Sequence, residues 1–235
     1  MMAAGPDFMA ADLEAIQVMR RYYRWKRDLI RPFAGNRVLE LGCGTGLVLS
    51  QMLPLELAVG VDVNAACISR ARERLRGHPE VRFHVLDAQS ETLPDFASER
   101  FTSAVFCSSL EAIADDALAL RRAASILPSG GRLIVFAAAM PAITGELDRA
   151  FGSRRYDKET IVRMMKEAGL SVAVLRYVNL LGALGWWWDS RILKRKAVPG
   201  TTYRTRDLTV PLARVVDWLT GPPAGRSLLA VGVKP

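Results

Sequence analysis

Val38-Leu39-Glu40-Leu41-Gly42-Cys43-Gly44-Thr45-Gly46 is an apolar run broken by one carboxylate and closed by a G-x-G-x-G turn, and Leu47–Leu53 after it reads as helix. A strand that turns sharply into a helix has this pattern, because glycine tolerates the backbone angles of a tight turn and lets a ligand approach the chain closely. A dinucleotide fingerprint would place its third glycine at position 47, where Leu47 stands, which weighs against a nicotinamide site. The same alternation continues outward. Short apolar runs at Leu57–Val61, Val81–Val85, Phe101–Cys107, Arg132–Ala137, Ser171–Val178 and Ser227–Val233 read as strands. Helical spacing marks Asn64–Arg76, Asp115–Leu127 and 158–168, the last capped by Asp157 at its start and Gly169 at its end. Strands alternating with helices, and apolar nearly throughout, predict an α/β fold with a doubly wound parallel sheet covered on both faces. Upstream, Leu13, Ile16, Met19, Tyr23 and Ile30 define an amphipathic helix over 12–31 that Pro32 is expected to end. Between the last two strands lies an insertion of about fifty residues with three consecutive tryptophans, too long for a plain loop and expected to be helical near Leu208–Leu219.

The chain has 235 residues, half of them hydrophobic and 24% charged, enough apolar content to exclude intrinsic disorder. Its longest uncharged apolar stretches, around 133–145 and 178–188, fall short of the roughly 20 residues of a membrane-spanning helix. The first dozen residues are acidic and lack a basic lead into an apolar run, so a cytoplasmic location is expected. Cys43, Cys67 and Cys107 are widely spaced, without C-x-x-C or a Cys/His cluster; reduced thiols and no metal site are expected. The net charge of +8 is concentrated: residues 20–31 carry +5, residues 191–206 carry +6, and everything else is net −3. Anionic partners are expected at those two patches alone.

Two more carboxylates, Asp62 and Asp87, stand at predicted strand ends, and ligands of open α/β sheets bind outside the carboxyl ends of the strands. From Glu40 through Gly46, Gly60-Val61-Asp62-Val63-Asn64, Leu86-Asp87-Ala88, Ile126 through Leu133, and Met165 through Leu170, five motifs in order, the chain resembles the class I S-adenosylmethionine-dependent methyltransferases. The resemblance covers about residues 36–178. It implies a Rossmann-like sheet of seven strands with an antiparallel last strand, and a single domain. That domain divides into an N-terminal helical lid (1–35), a cofactor-binding core (36–178), an acceptor-side insertion (179–225) and the last strand (226–235).

The resemblance also implies that S-adenosyl-L-methionine is the cofactor and S-adenosyl-L-homocysteine the product. Gly42, Cys43, Gly44 and Gly46 would line its methionine part with Glu40 near the ammonium and Ser108 beside it. Asp62 would accept the ribose hydroxyls, and Asp87 with the Ala88 amide would take the adenine, on which Val63 packs. Where many small-molecule members read Leu-Glu-His after the fourth strand, this chain reads Leu110-Glu111-Ala112, which leaves Glu111 as the candidate general base. His78, in a turn, and His84, inside a strand, are read as structural. Tyr22, Tyr23, Trp186, Trp187 and Arg191 are candidates for acceptor binding, since aromatic walls beside basic side chains suit an amphiphilic molecule. The expected partner is therefore a small or amphiphilic acceptor, with peripheral contact to a membrane surface, rather than nucleic acid. RNA methylation, from the basic patches, and a non-catalytic cofactor-binding module, from Ala112, are the alternatives.

Overall fold

A computed structural model describes residues 18–151, 153–195 and 200–235. Seven strands form one sheet in the order β3-β2-β1-β4-β5-β7-β6. They are β1 (Arg37–Leu41), β2 (Leu57–Asp62), β3 (Val81–Val85), β4 (Ser103–Cys107), β5 (Arg132–Ala138), β6 (Ser171–Val178) and β7 (Ser227–Val233). Strands β1 to β5 pair in parallel, while β7 lies antiparallel between β5 and β6. Sheet class, strand count and the antiparallel last strand all agree with the sequence reading.

The helices in chain order are α1 (Arg20–Ala34), α2 (Leu47–Met52), α3 (Ala65–Arg74), α4 (Asp116–Ser125), α5 (Glu146–Phe151), α6 (Lys158–Glu167), α7 (Leu180–Trp187) and α8 (Gly200–Thr220). Four start on side-chain caps that satisfy otherwise orphaned amides: Asn64 accepts from Ala66 and Cys67, Asp115 from Leu118, Asp157 from Thr160, and Asn179 from Gly182. Two boundaries differ from the sequence reading. α1 runs on to Ala34 with Pro32 inside it, because a proline so near the C-terminal end removes a single backbone bond and leaves the last turn intact; residues 12–17 of the predicted helix lie outside the described residues. The insertion is also more helical than expected. It contains α7, a π-helical turn at Trp188–Ile192, and an α8 that begins eight residues before Leu208.

Alternation along β1 sets the position of the site. Leu39 and Leu41 pack with Leu120 of α4 and Ile161 of α6 on one face, whereas Val38 packs with Ile30 of α1, Leu49 of α2 and Ile68 of α3 on the other. Glu40 shares the face of Val38 by this two-residue period, so its carboxyl group is directed under α1 and α2.

Candidate active site

At the end of β1 the chain turns at Gly42, where the N–H groups of Gly42 and Cys43 both donate to the Val61 carbonyl of β2, at 2.8 and 3.0 Å. Gly42 has φ +71°, and a Cβ there would come within 2.4 Å of the Ser109 Cβ. From the other side the Ser109 hydroxyl donates to the Leu41 carbonyl at 2.6 Å. The elbow is therefore gripped between β2 and the segment after β4, and only glycine fits. Asp62 locks its far side: one carboxylate oxygen accepts the Gly44 N–H at 2.8 Å and the other the Asn64 N–H at 2.9 Å. Each oxygen keeps a further lone pair for a hydroxyl donor. At the neighbouring strand end Asp87 is exposed and accepts from the backbone and side chain of Gln89, with Ala88 buried beside it and Val63 exposed. Since β3, β2 and β1 are adjacent, Asp87, Asp62 and Glu40 lie along one rim.

Glu40 is only 1% exposed, and among the described residues its Oε2 has no hydrogen-bond partner. Burial pushes its pKa up to about 8; Lys26 and the Leu49 backbone N–H pull the other way, and Asp62 adds to the rise. A buried carboxyl with a spare oxygen beneath a glycine turn is an incomplete arrangement, one that a cationic, N–H-donating group would complete.

The residue that sequence reasoning missed is Lys26. The charge pattern places it in a basic patch, but α1 directs it inward: it is 5% exposed, and its Nζ donates to the Ser108 Oγ at 2.8 Å. The ammonium lies 5.0, 5.1 and 5.4 Å from the ring centroids of Tyr22, Tyr23 and Phe136. Burial by itself would lower its pKa, yet Cys107, Tyr22, Tyr23 and Glu111 together raise it, so the charge is kept. Burial in turn drives the Cys107 thiol and the Tyr23 phenol up to about 12. The signal was present in the sequence, since position 26 falls on the same buried stripe as Tyr22, Trp25 and Ile30. Ser108, its partner, is exposed and holds a left-handed φ of +59°, an arrangement non-glycine residues adopt at a cost.

Glu111 follows in a single 3-10 turn, Leu110–Ala112. It is buried, one carboxyl oxygen accepts the Ala138 N–H at 3.3 Å, and the other has no partner among the described residues. Burial raises its pKa above the carboxylate range. His78 bonds Glu80, and His84 meets the Phe96 ring edge-on at 5.3 Å.

The aromatic candidates separate into two places. Tyr22 and Tyr23 pack into the core on the Glu40 face, whereas Trp186 packs with Ile143, Leu147 and Ala183 in a cluster of its own. Trp186 is buried: its indole N–H donates to Asp148 at 3.0 Å, and the guanidinium groups of Arg226 and Arg155 lie 4.4 and 5.1 Å from its ring. Trp187 is exposed. Arg191 donates to the Thr144 and Ala142 carbonyls and so fastens the insertion to the loop after β5. The basic segment 191–206 is partly neutralised internally as well, because Arg195 and Arg206 both pair with Asp189.

Residues 38–131 match a methyltransferase domain family. The chain is 29% identical over 214 residues to the ubiquinone/menaquinone biosynthesis C-methyltransferase UbiE of Vibrio campbellii, covering 77% of this chain and 81% of that protein. In fold it is similar to a Haloferax volcanii putative methyltransferase solved with its Trm112 activator, with a TM-score of 0.68 at 21% identity over the full length of both chains. It is also similar to the geranyl diphosphate C-methyltransferase of Streptomyces coelicolor, with a TM-score of 0.63 at 16% identity, covering 89% of this chain and 78% of that one. A matched methyltransferase domain across the first four strands, a relative along three quarters of the sequence, and a sheet of this order and polarity point the same way: the chain is similar to the class I S-adenosylmethionine-dependent methyltransferases.

Proposed function

We propose that the enzyme transfers the methyl group of S-adenosylmethionine to a small or amphiphilic acceptor, and that the rim from Asp87 to Glu40 is its cofactor site. The observation that carries the site is the orphaned, buried Glu40 oxygen beneath the elbow. In this reading Glu40 takes the amino-acid ammonium; Gly42, Cys43, Gly44 and Gly46 leave room for the methionine chain, with Ser108 beside it. Asp62, already aligned by Gly44 and Asn64, accepts the ribose hydroxyls. Asp87 and the Ala88 N–H take the adenine edge, and the exposed Val63 packs on the base. The cofactor supplies a methyl group already activated by its sulfonium, so the protein's task is alignment and exclusion of water. Glu111 is the proposed proton acceptor where the acceptor must lose a proton, and burial, which raises its pKa, makes its carboxylate a stronger base. Tyr22, Tyr23, Trp187 and Arg191 remain the proposed acceptor-side groups, and Trp186 shapes that side from beneath. In domain terms, α1 covers the crevice and the insertion forms its acceptor wall.

A carbon atom as the methyl acceptor is supported by the names of the UbiE relative and of the geranyl diphosphate enzyme, both C-methyltransferases. The test has two stages. Calorimetry with S-adenosylmethionine and S-adenosylhomocysteine should show binding that Asp62→Ala weakens at least tenfold, about 1.4 kcal/mol; silence with both ligands rejects the site. Incubation with methyl-labelled cofactor and fractionated cell extract, followed by mass spectrometry, then identifies the acceptor. Label appearing in RNA would overturn the small-molecule reading.

A further inference from the structure

Helix α8 is apolar on two opposite faces. Tyr203, Val210 and Ala213 are buried against the body of the protein. On the far side Leu208, Leu212, Val215 and Leu219 follow one another at helical spacing, each more than half exposed, and Trp218 beside them is 82% exposed. A water-facing helix face normally carries polar residues, so a continuous apolar stripe marks a surface that something covers.

The upper end of this stripe opens into a cavity of about 860 Å³, lined by Leu208 together with Arg20, Arg24, Arg74 and Arg204. Asp207 also lines it, but its two oxygens accept the N–H groups of Arg21 and Tyr22. Arg74 is held by the Thr45 carbonyl, and Arg20, Arg24 and Arg204 pair with no carboxylate among the described residues. Guanidinium groups from α1, α3 and α8 thus converge at one end of an exposed apolar strip that carries a tryptophan. Apolar side chains matched to acyl chains and arginines matched to phosphates are the two halves of an interfacial lipid-binding face. A second copy of the chain would complement the leucines and leave the arginines unmatched. Among the described residues no helix is long and apolar enough to cross a bilayer, so contact would be with its surface.

We infer that the outer face of α8, with the adjoining arginine cavity, docks the enzyme on an anionic phospholipid surface. This deepens the reading of an amphiphilic acceptor: a methyltransferase seated on the bilayer meets an acceptor whose apolar tail remains in the lipid.

Flotation of the full chain with phosphatidylcholine vesicles, with and without phosphatidylglycerol, tests the inference. Binding should require phosphatidylglycerol, weaken as salt is raised, and shift the Trp218 emission to shorter wavelength. Combined Arg20→Gln, Arg24→Gln and Arg204→Gln should lower partitioning roughly a hundredfold, at about 1 kcal/mol per arginine. Leu208→Ser, Leu212→Ser and Leu219→Ser together should abolish binding. Both combined variants should keep wild-type affinity for S-adenosylhomocysteine in calorimetry, which shows that they fold and separates a failure of docking from a failure of the cofactor site. Equal binding to neutral and anionic vesicles, or no binding to either, would overturn the inference. So would a wild-type dimer that the leucine variant makes monomeric.

Discussion

Replacing Glu40 with glutamine should move two measured quantities in opposite directions. In the folded protein the Glu40 pKa stands at about 8, against an ordinary value of 4.5. The folded state therefore holds a proton that the unfolded state releases between these two values, and stability falls as pH rises across that window. The penalty is absent below 4.5 and fully present above 8. At about 1.4 kcal/mol per pH unit it reaches about 3–5 kcal/mol. Glu40→Gln removes the titration and keeps the shape. The ligand-free variant should match the wild type in pH response below pH 4.5 and become progressively more stable than it toward pH 8. The gain should be on the order of 10 °C in melting temperature for a domain of this size. Cofactor binding should change the other way: wild-type affinity for S-adenosylhomocysteine should rise with pH up to about 8 as the carboxylate forms, while the variant binds weakly and without that pH response. Urea unfolding and calorimetry across pH 5–9 read both. Parallel stability curves for the two proteins would refute the buried, proton-holding Glu40.

Lys26→Met removes the cation that restrains Glu40, so the pH at which cofactor affinity levels off should move upward from about 8, as calorimetry at a series of pH values would show. Gly42→Ala sets a Cβ within 2.4 Å of Ser109 at a left-handed φ, and should cost about 2–5 kcal/mol in urea unfolding. Asp148→Ala strips Arg155 of its buried partner and Trp186 of its acceptor; a loss of about 3–5 kcal/mol is expected in the same assay, with S-adenosylhomocysteine affinity little changed. Glu111→Gln should leave cofactor affinity intact and reduce turnover once the acceptor is known, with a rate that no longer follows the Glu111 titration.

The sheet was legible because its information is local. Each strand is a short apolar run between turn residues, and caps such as Asn64, Asp115 and Asp157 announce themselves by residue type and place. The elbow was legible for a similar reason, since glycines at fixed spacing have few other uses. Lys26 was not, because a charge in a basic run reads as solvated unless its position on the helix is weighed against the apolar stripe. Its partners Ser108 and Phe136 are more than eighty residues away, and no local pattern announces them. Trp186 was read as a pocket wall by residue type alone; the arginines and the aspartate that enclose it come from three other segments. The extent of helix in the insertion was hidden because α8 lacks the one-sided pattern that periodicity detects.

Asp207 lies on α8, yet it closes the first turn of α1, and Arg214 of α8 pairs with Asp28 farther along the same helix. The beginning and the late part of the polypeptide are thereby stapled across almost two hundred positions. Any displacement of α1 would therefore carry α8, and the exposed leucine face on it, along as one body.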